Sequence, residues 1–158
     1  MRITWRELAV DVTGQSSDAL LSEWRWMVPP ALYLRMVSVL GDAFLESADE
    51  SIFWLDVAAA ELTRIASSKD EFDQLRQIPK NVEQWFMPRL VGELLSVGLH
   101  LGAGECFSYK IPPSLGGAFE PSNFEVCMLV QHFAALGKIQ AQVKPLPLRT
   151  RITSVEAE

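Results

Sequence analysis

The chain has 158 residues, a formal net charge of -6 and two cysteines. A chain of this length buries enough apolar surface to fold without disulfides or metal ions. The acidic balance argues against a nucleic-acid binder, because such proteins draw much of their affinity from basic contacts with phosphates. We therefore expect one domain over residues 1–158 that does not bind nucleic acid.

The composition also argues against secretion and against a membrane-bound protein. Residues 1–7 lack the apolar stretch of a signal peptide, and two cysteines are too few for a secreted disulfide scaffold. The apolar stretch over residues 90–101 is interrupted by Glu93 and His100 and is too short to span a bilayer. We expect a cytoplasmic protein that does not bind membranes and whose two thiols are free and buried.

Two short helices are predicted before residue 30. Thr4 and Glu7 have the spacing of a capping box, in which side chains satisfy the free N–H groups of the first helical turn. Residues 16–18 (SSD) open a second helix. This helix ends before the Pro29–Pro30 pair, because proline has no N–H and its ring clashes with the preceding turn.

A β-meander is predicted next, so that residues 1–66 form an N-terminal part of helices and strands. Alternating apolar residues and turn signals favour three antiparallel strands over residues 31–40, 43–47 and 51–56, with a turn at residues 48–50. A fourth strand over residues 61–66 competes with a helix beginning at Ala58.

The C-terminal half is predicted as a helix–strand–helix unit, which makes the fold class α+β. A helix ending at Pro79 is followed by one capped at Asn81, kinked or begun at Pro88 and closed by Gly102 and Gly104. The remaining elements are a strand over residues 105–111, a short strand near residues 123–126 and a helix over residues 127–143.

No candidate for catalysis stands out from these elements. Activation of a thiol would require Cys106 together with His100 or His132, but His132 is expected on the polar surface of the last helix. The histidines and cysteines lack the short spacings of a zinc site, and no glycine cluster completes a phosphate loop. We expect no catalytic, cofactor or metal site, and hence no enzyme.

Charge and aromatic residues indicate where a partner protein would bind. Residues 41–61 contain six acids and no Lys or Arg, which is typical either of a solvated face or of a surface that attracts a basic partner. Trp24 and Trp26 cannot share one helix face, so we expect either that one of them is exposed or at a helix end, or that both pack over the meander. The candidate contacts are Asp42, Glu46, Asp49, Glu50 and Trp26.

The run GECFSYKIPPSLGG at residues 104–117 is distinctive, with WFMPRLV at residues 85–91 before it and EPSNFE at residues 120–125 after it. Residues 67–151 thereby resemble the C-terminal domain family of type VI secretion immunity proteins, in particular those that neutralise DNase toxins. The resemblance implies a cytosolic antitoxin that binds a cognate effector toxin and uses no cofactor. Residues 1–66 share only the strand meander and the WLD sequence of residues 54–56.

The leading hypothesis is therefore an immunity protein that occludes the active site of its toxin. If the toxin is a nuclease, four of the acids of residues 41–61 would fill its basic groove in place of phosphates: Asp42, Glu46, Asp49 and Glu50. A regulatory or scaffold module bound to an endogenous partner is the alternative. The open edges of a small meander would also allow pairing into a homodimer.

Overall fold

A computed structural model describes residues 3–145 of the chain, so residues 146–151 of the predicted family-like part lie outside the described residues. The N-terminal part forms an antiparallel sheet whose strands follow one another in chain order. The strands are β1 (Ala9–Val10), β2 (Tyr33–Ser38), β3 (Ala43–Glu46), β4 (Ile52–Asp56) and β5 (Glu61–Ala66). The meander and its fourth predicted strand are confirmed, and β1 extends the sheet to five strands.

The helix considered at Ala58 does not form. Residues 57–60 make the turn between β4 and β5, and Ala60 adopts a positive φ of 53°. The side chain of Asp56 fixes this turn by accepting hydrogen bonds from the backbone N–H groups of Ala58 (3.1 Å) and Ala59 (3.2 Å). An aspartate that caps a turn in this way outweighs the helix propensity of the alanines.

The helices are α1 (Trp5–Leu8), α2 (Ser17–Leu21), α3 (Lys69–Leu75), α4 (Pro79–Phe86), α5 (Pro88–Ser96) and α6 (Leu129–Val143). Two further strands, β6 (Glu105–Tyr109) and β7 (Phe124–Met128), pair with each other as a hairpin. Helices and antiparallel strands together confirm the α+β class. The capping box of α1 is also confirmed, since the Thr4 N–H donates to the Glu7 carboxylate at 3.0 Å.

The boundaries of α4 and α5 differ from the prediction. α4 begins at Pro79, because proline suits the first helical position, where the backbone N–H would have no partner within the helix. Asn81, which was predicted to cap this helix, instead donates from its side chain to the Leu75 carbonyl at 3.1 Å. Met87 has a φ of 48° and separates α4 from α5, so Pro88 starts a new helix. α5 ends at Ser96, ahead of the predicted Gly102 and Gly104.

The core lies on both sides of the sheet, because β3 is buried at successive positions whose side chains point to opposite faces. On one face, the Phe44 ring packs against Phe72 of α3 and Phe86 of α4, with centroids 5.4 and 5.0 Å apart. The Trp5 ring of α1 meets Phe86 edge-on at 5.0 Å. Three helices are thereby held to this face by aromatic contacts.

α6 is anchored to one end of the sheet by two buried polar side chains. His132 donates from Nε2 to the Gly41 carbonyl (3.0 Å), and Gln140 donates to the carbonyls of Val57 (2.9 Å) and Ala58 (3.0 Å). These carbonyls belong to the β2–β3 and β4–β5 turns, which lie at the same end of a meander. We call this the clamped end, and the opposite end, with the β3–β4 turn at residues 47–51, the hairpin end.

Candidate functional site

The first constellation with chemical potential is a buried serine–histidine pair. The Ser108 hydroxyl of β6 lies 2.7 Å from Nδ1 of His132, and both residues are more than 90% buried. The prediction that His132 lies on the surface was therefore wrong. A buried imidazole is stable there because both of its ring nitrogens have hydrogen-bond partners within the fold.

This pair is built for structure rather than for nucleophilic catalysis. Nε2 of His132 donates to a carbonyl, so in the neutral ring Nδ1 has no proton and accepts a hydrogen bond from the Ser108 hydroxyl. Burial lowers the pKa of His132 to about 4, so the ring is a poor base at neutral pH. A cleft of about 340 Å³ between α1 and the loop of residues 100–105 is lined by neither side chain.

The two cysteines face each other across the β6–β7 hairpin as register partners. Cys106 is fully buried, as predicted, whereas Cys127 is only partly buried, which corrects that half of the prediction. Burial raises the pKa of the Cys106 thiol, so the thiol stays protonated and is a weak nucleophile.

Asp42, the first of the candidate acids, lies at the clamped end. Its carboxylate accepts hydrogen bonds from the Trp54 indole (3.2 Å) and the Val57 N–H (3.1 Å). Burial, and after it the nearby charge of Asp56, raises the pKa of Asp42. Asp42 therefore joins β3 to the β4–β5 turn and does not belong to the surface of the hairpin end.

Glu46 lies at the hairpin end but is largely paired. It accepts a hydrogen bond from the Tyr33 hydroxyl, and its carboxylate is 3.8 Å from Nε of Arg35. Its side chain is only 12% exposed, whereas Tyr33 is 45% exposed. Glu46 therefore positions an exposed tyrosine and an exposed arginine, rather than offering a free charge.

Asp49 and Glu50 form the exposed tip of the β3–β4 turn. Asp49 accepts hydrogen bonds from the Ser47 hydroxyl and from the Ser51 N–H (3.1 Å), and these bonds lower the pKa of Asp49 to about 2. Glu50 adopts a positive φ of 68°, which the turn imposes on it. The turn thus presents two adjacent carboxylates in a fixed conformation.

Cations from neighbouring strands flank this acidic turn. Arg35 of β2 contacts Glu46, and Arg64 of β5 donates to the Ser51 hydroxyl at 3.1 Å. The hairpin end is therefore a mixed surface, although residues 41–61 contain no Lys or Arg. The sequence analysis missed Tyr33, Arg35 and Arg64, because the strand register, and not their position in the chain, brings them beside the turn. Aligning the predicted strands with one another would have placed all three at this end of the sheet.

Trp26, the remaining candidate, is 43% exposed and lies in the loop before β2. Its ring stacks on Trp24, with centroids 6.1 Å apart. Trp24 is fully buried and donates from its indole to the Phe133 carbonyl at 2.9 Å. Of the two alternatives for the tryptophans, the structure shows an exposed one, Trp26, whose ring rests on the buried ring of Trp24.

Within residues 3–145, no three His, Cys, Asp or Glu side chains are grouped so as to hold a metal ion. In the same part of the chain, no helix combines the length and the apolar character needed to cross a membrane. Of the predicted contacts, the ones that this part exposes are Asp49 and Glu50 at the hairpin end and Trp26.

The fold and this surface define an α+β protein with a rigid acidic turn at one end of its sheet. Residues 66–140 match the model of the family described as "T6SS immunity protein Tdi1, C-terminal". This match, over slightly less than half of the chain, confirms the resemblance to the type VI secretion immunity family. The sequence motifs and the family match agree on the same C-terminal segment.

The structure is also similar to a solved one, the crystal structure of Atu4351 from Agrobacterium tumefaciens. The TM-score is 0.53 at 13% sequence identity, and the similarity covers 77% of this chain and 62% of that chain. At this identity the likeness concerns the fold alone, and this chain spans less than two thirds of that protein. A search of the curated proteins gave no match.

Proposed function

We propose that the protein is an immunity protein that binds a cognate type VI effector toxin in the cytoplasm and neutralises it by covering the active site. The family match over residues 66–140 supports the general role. The exposed turn of Asp49 and Glu50 at the hairpin end carries the proposal for where the toxin binds. In this proposal the protein acts by binding and performs no chemistry itself.

The toxin in this proposal is a nuclease with a basic substrate groove. Two carboxylates in a fixed turn suit such a groove because they replace phosphates, and the turn loses little conformational entropy on binding. Tyr33, Arg35 and Arg64 surround the acids, and tyrosine and arginine are enriched in the energetically important parts of protein interfaces. Trp26 would supply a separate apolar contact.

The test is a charge change at Glu50, whose side chain forms no ion pair among residues 3–145. Binding to the toxin encoded beside the gene would be measured by calorimetry at low and high salt. Glu50→Lys should weaken binding about 3- to 30-fold at low salt, mainly through a slower association rate. At about 0.5 M salt the difference should shrink to roughly twofold, because salt screens exposed charges.

Two variants control this experiment. Glu125→Lys makes the same charge change at an exposed position of β7, in the other sheet, and should leave the affinity within about twofold. Asp49→Asn separates the charge of Asp49 from its role in the turn. It removes the negative charge but keeps a side-chain oxygen that can accept the hydrogen bond from the Ser51 N–H. Equal affinity of the parent and Glu50→Lys at low salt would refute the acidic turn as the contact. Failure of the protein to bind or inhibit the toxin would refute the proposed function.

A further inference from the structure

β5 is the last strand of the sheet and has one free edge. It pairs only with β4, and none of residues 3–145 pairs with its other side. An edge strand presents unpaired N–H and C=O groups, which is a template for one more strand. The edge is six residues long and contains no proline that would block pairing.

A groove of about 360 Å³ runs beside this edge, between β5 and α4. Along β5 it is lined by Glu61, Thr63 and Ile65, alternate residues whose side chains point to the same face of the sheet. Gln84 and Trp85 of α4 form the opposite wall, and Trp54 of β4 also lines the groove. The groove therefore combines an apolar interior with a polar rim and an unpaired backbone.

These features match the chemistry of an extended polypeptide. An added strand would pair with the edge of β5, and its alternate side chains would point into the groove. Because Trp54, Ile65 and Trp85 line the groove, an apolar side chain suits its interior. Glu61 lies at the start of β5. A basic side chain on the incoming strand, opposite Glu61 or diagonal to it, would lie close enough to pair with its carboxylate.

A second copy of this chain fits the edge less well. In an antiparallel pair of β5 strands, residues directly opposite each other lie on the same face of the sheet. If Arg64 lies opposite the Arg64 of the second copy, two arginines are placed together. If Thr63 lies opposite the Thr63 of the second copy, Glu61 lies opposite Ile65. Neither register pairs opposite charges, so the strand is better suited to a foreign segment than to itself.

We propose that the edge of β5 and the adjacent groove bind an extended segment of the toxin, which adds a sixth strand to the sheet. The segment carries an apolar side chain that enters between Trp54 and Trp85 and a basic side chain that meets Glu61. This inference rests on the proposed function, because it takes the toxin as the source of the strand. It places a second contact along β5, which runs from Glu61, next to the β4–β5 turn, to Ala66 at the hairpin end.

Amide hydrogen exchange, measured on the protein alone and mixed with the adjacent-gene toxin, tests the added strand directly. In the free protein the outward amides of β5 should exchange rapidly. In the complex they should exchange at least about tenfold more slowly, as expected for newly hydrogen-bonded amides. Slow exchange of all β5 amides in the free, dilute protein would overturn the proposal, because the edge would then be covered already, for instance by residues 146–158. Protection that appears only at high concentration of the free protein would overturn it in favour of a dimer.

Substitutions in the two walls of the groove test its role in affinity. Thr63→Arg fills the groove from β5, and Gln84→Arg fills it from α4 without altering the strand; each should weaken toxin binding by about tenfold or more. Thr13→Arg, at another exposed threonine, is the matched control and should bind normally. If Thr63→Arg does not fold, Gln84→Arg decides the result.

The outcomes separate this inference from the proposed function. A stable, inhibited toxin complex with unprotected β5 amides and unchanged affinity of Thr63→Arg and Gln84→Arg would overturn the added strand alone. The absence of any complex between the parent protein and the toxin would overturn both.

Discussion

The buried imidazole of His132 should make stability depend on pH in a way that the structure specifies. Burial lowers the pKa of His132 to about 4, whereas a histidine in the unfolded chain has a pKa near 6.5. Because the folded pKa is the lower one, acid protonates the unfolded chain first. The stabilising contribution is complete above about pH 6.5 and is lost as the pH falls toward about 4.

The size of this effect follows from the two pKa values. At about pH 5 the unfolded imidazole is almost fully protonated and the folded ring is mostly neutral. Proton linkage then lowers the free energy of unfolding by about 2 kcal/mol relative to about pH 8. Asp42 and Asp56 work in the opposite direction, since the pKa values of both are raised in the folded protein and their contribution grows on acidification.

Urea unfolding at about pH 8 and about pH 5, on the parent protein and on His132→Gln, isolates the histidine. The aspartates are present in both proteins, so the difference between the two pH dependences reports His132. The parent should lose about 2 kcal/mol more than the variant on acidification. Parallel pH profiles for the parent and His132→Gln would refute the argument, as would protonation of His132 near pH 6.5 in an NMR titration.

Two further substitutions test how the fold is held together. Gly41→Ala should lower the free energy of unfolding, measured with urea, by about 2–4 kcal/mol. The φ of Gly41 is 82°, which disfavours other residues, and a Cβ there would lie 1.9 Å from Nε2 of His132. A loss below about 0.5 kcal/mol would contradict the observed packing. Asn123→Ala should cost about 2 kcal/mol, because the amide bonds both polar backbone groups of Ile111 (2.9 Å each) and the Ala118 carbonyl (3.0 Å). Asn123→Asp should cost at least as much, because a carboxylate oxygen, which cannot donate, then faces the Ile111 and Ala118 carbonyls.

The sequence predicts most of the elements because their signals are local. Two of these signals are the Thr4–Glu7 capping box and the alternation of apolar residues over residues 31–40. Both involve neighbours within a few positions, and both produced the expected elements. The sequence signal for the boundary between α4 and α5 is also local. Pro88 is compatible either with a kink in one helix or with the start of a second helix. The positive φ of Met87 decides between these in favour of a new helix.

The candidate site was harder to predict because its contacts are long-range. His132 has its partners at Ser108 and Gly41, which are 24 and 91 residues away, so its helical position gave no sign that a polar ring would be satisfied in the core. The acidic run likewise gave no sign of Arg35 and Arg64, which only the sheet register brings to the turn. A charge pattern read along the chain therefore overestimates how acidic the folded surface is.

The two ends of the sheet differ in what they leave free for a partner. At the clamped end, the turn carbonyls are bonded to α6 and the carboxylate of Asp42 is bonded to β4 and its turn. At the hairpin end, the bond from Arg64 to Ser51 links β5 to the β3–β4 turn. The acidic turn and the free edge of β5 are therefore neighbours on a sheet whose far end is fixed by α6. One partner can contact both without any movement of the sheet, and such preorganised binding loses less conformational entropy. This continuity is the physical reason to place the toxin across the hairpin end and along the edge of β5, as far as Glu61 at the start of the strand.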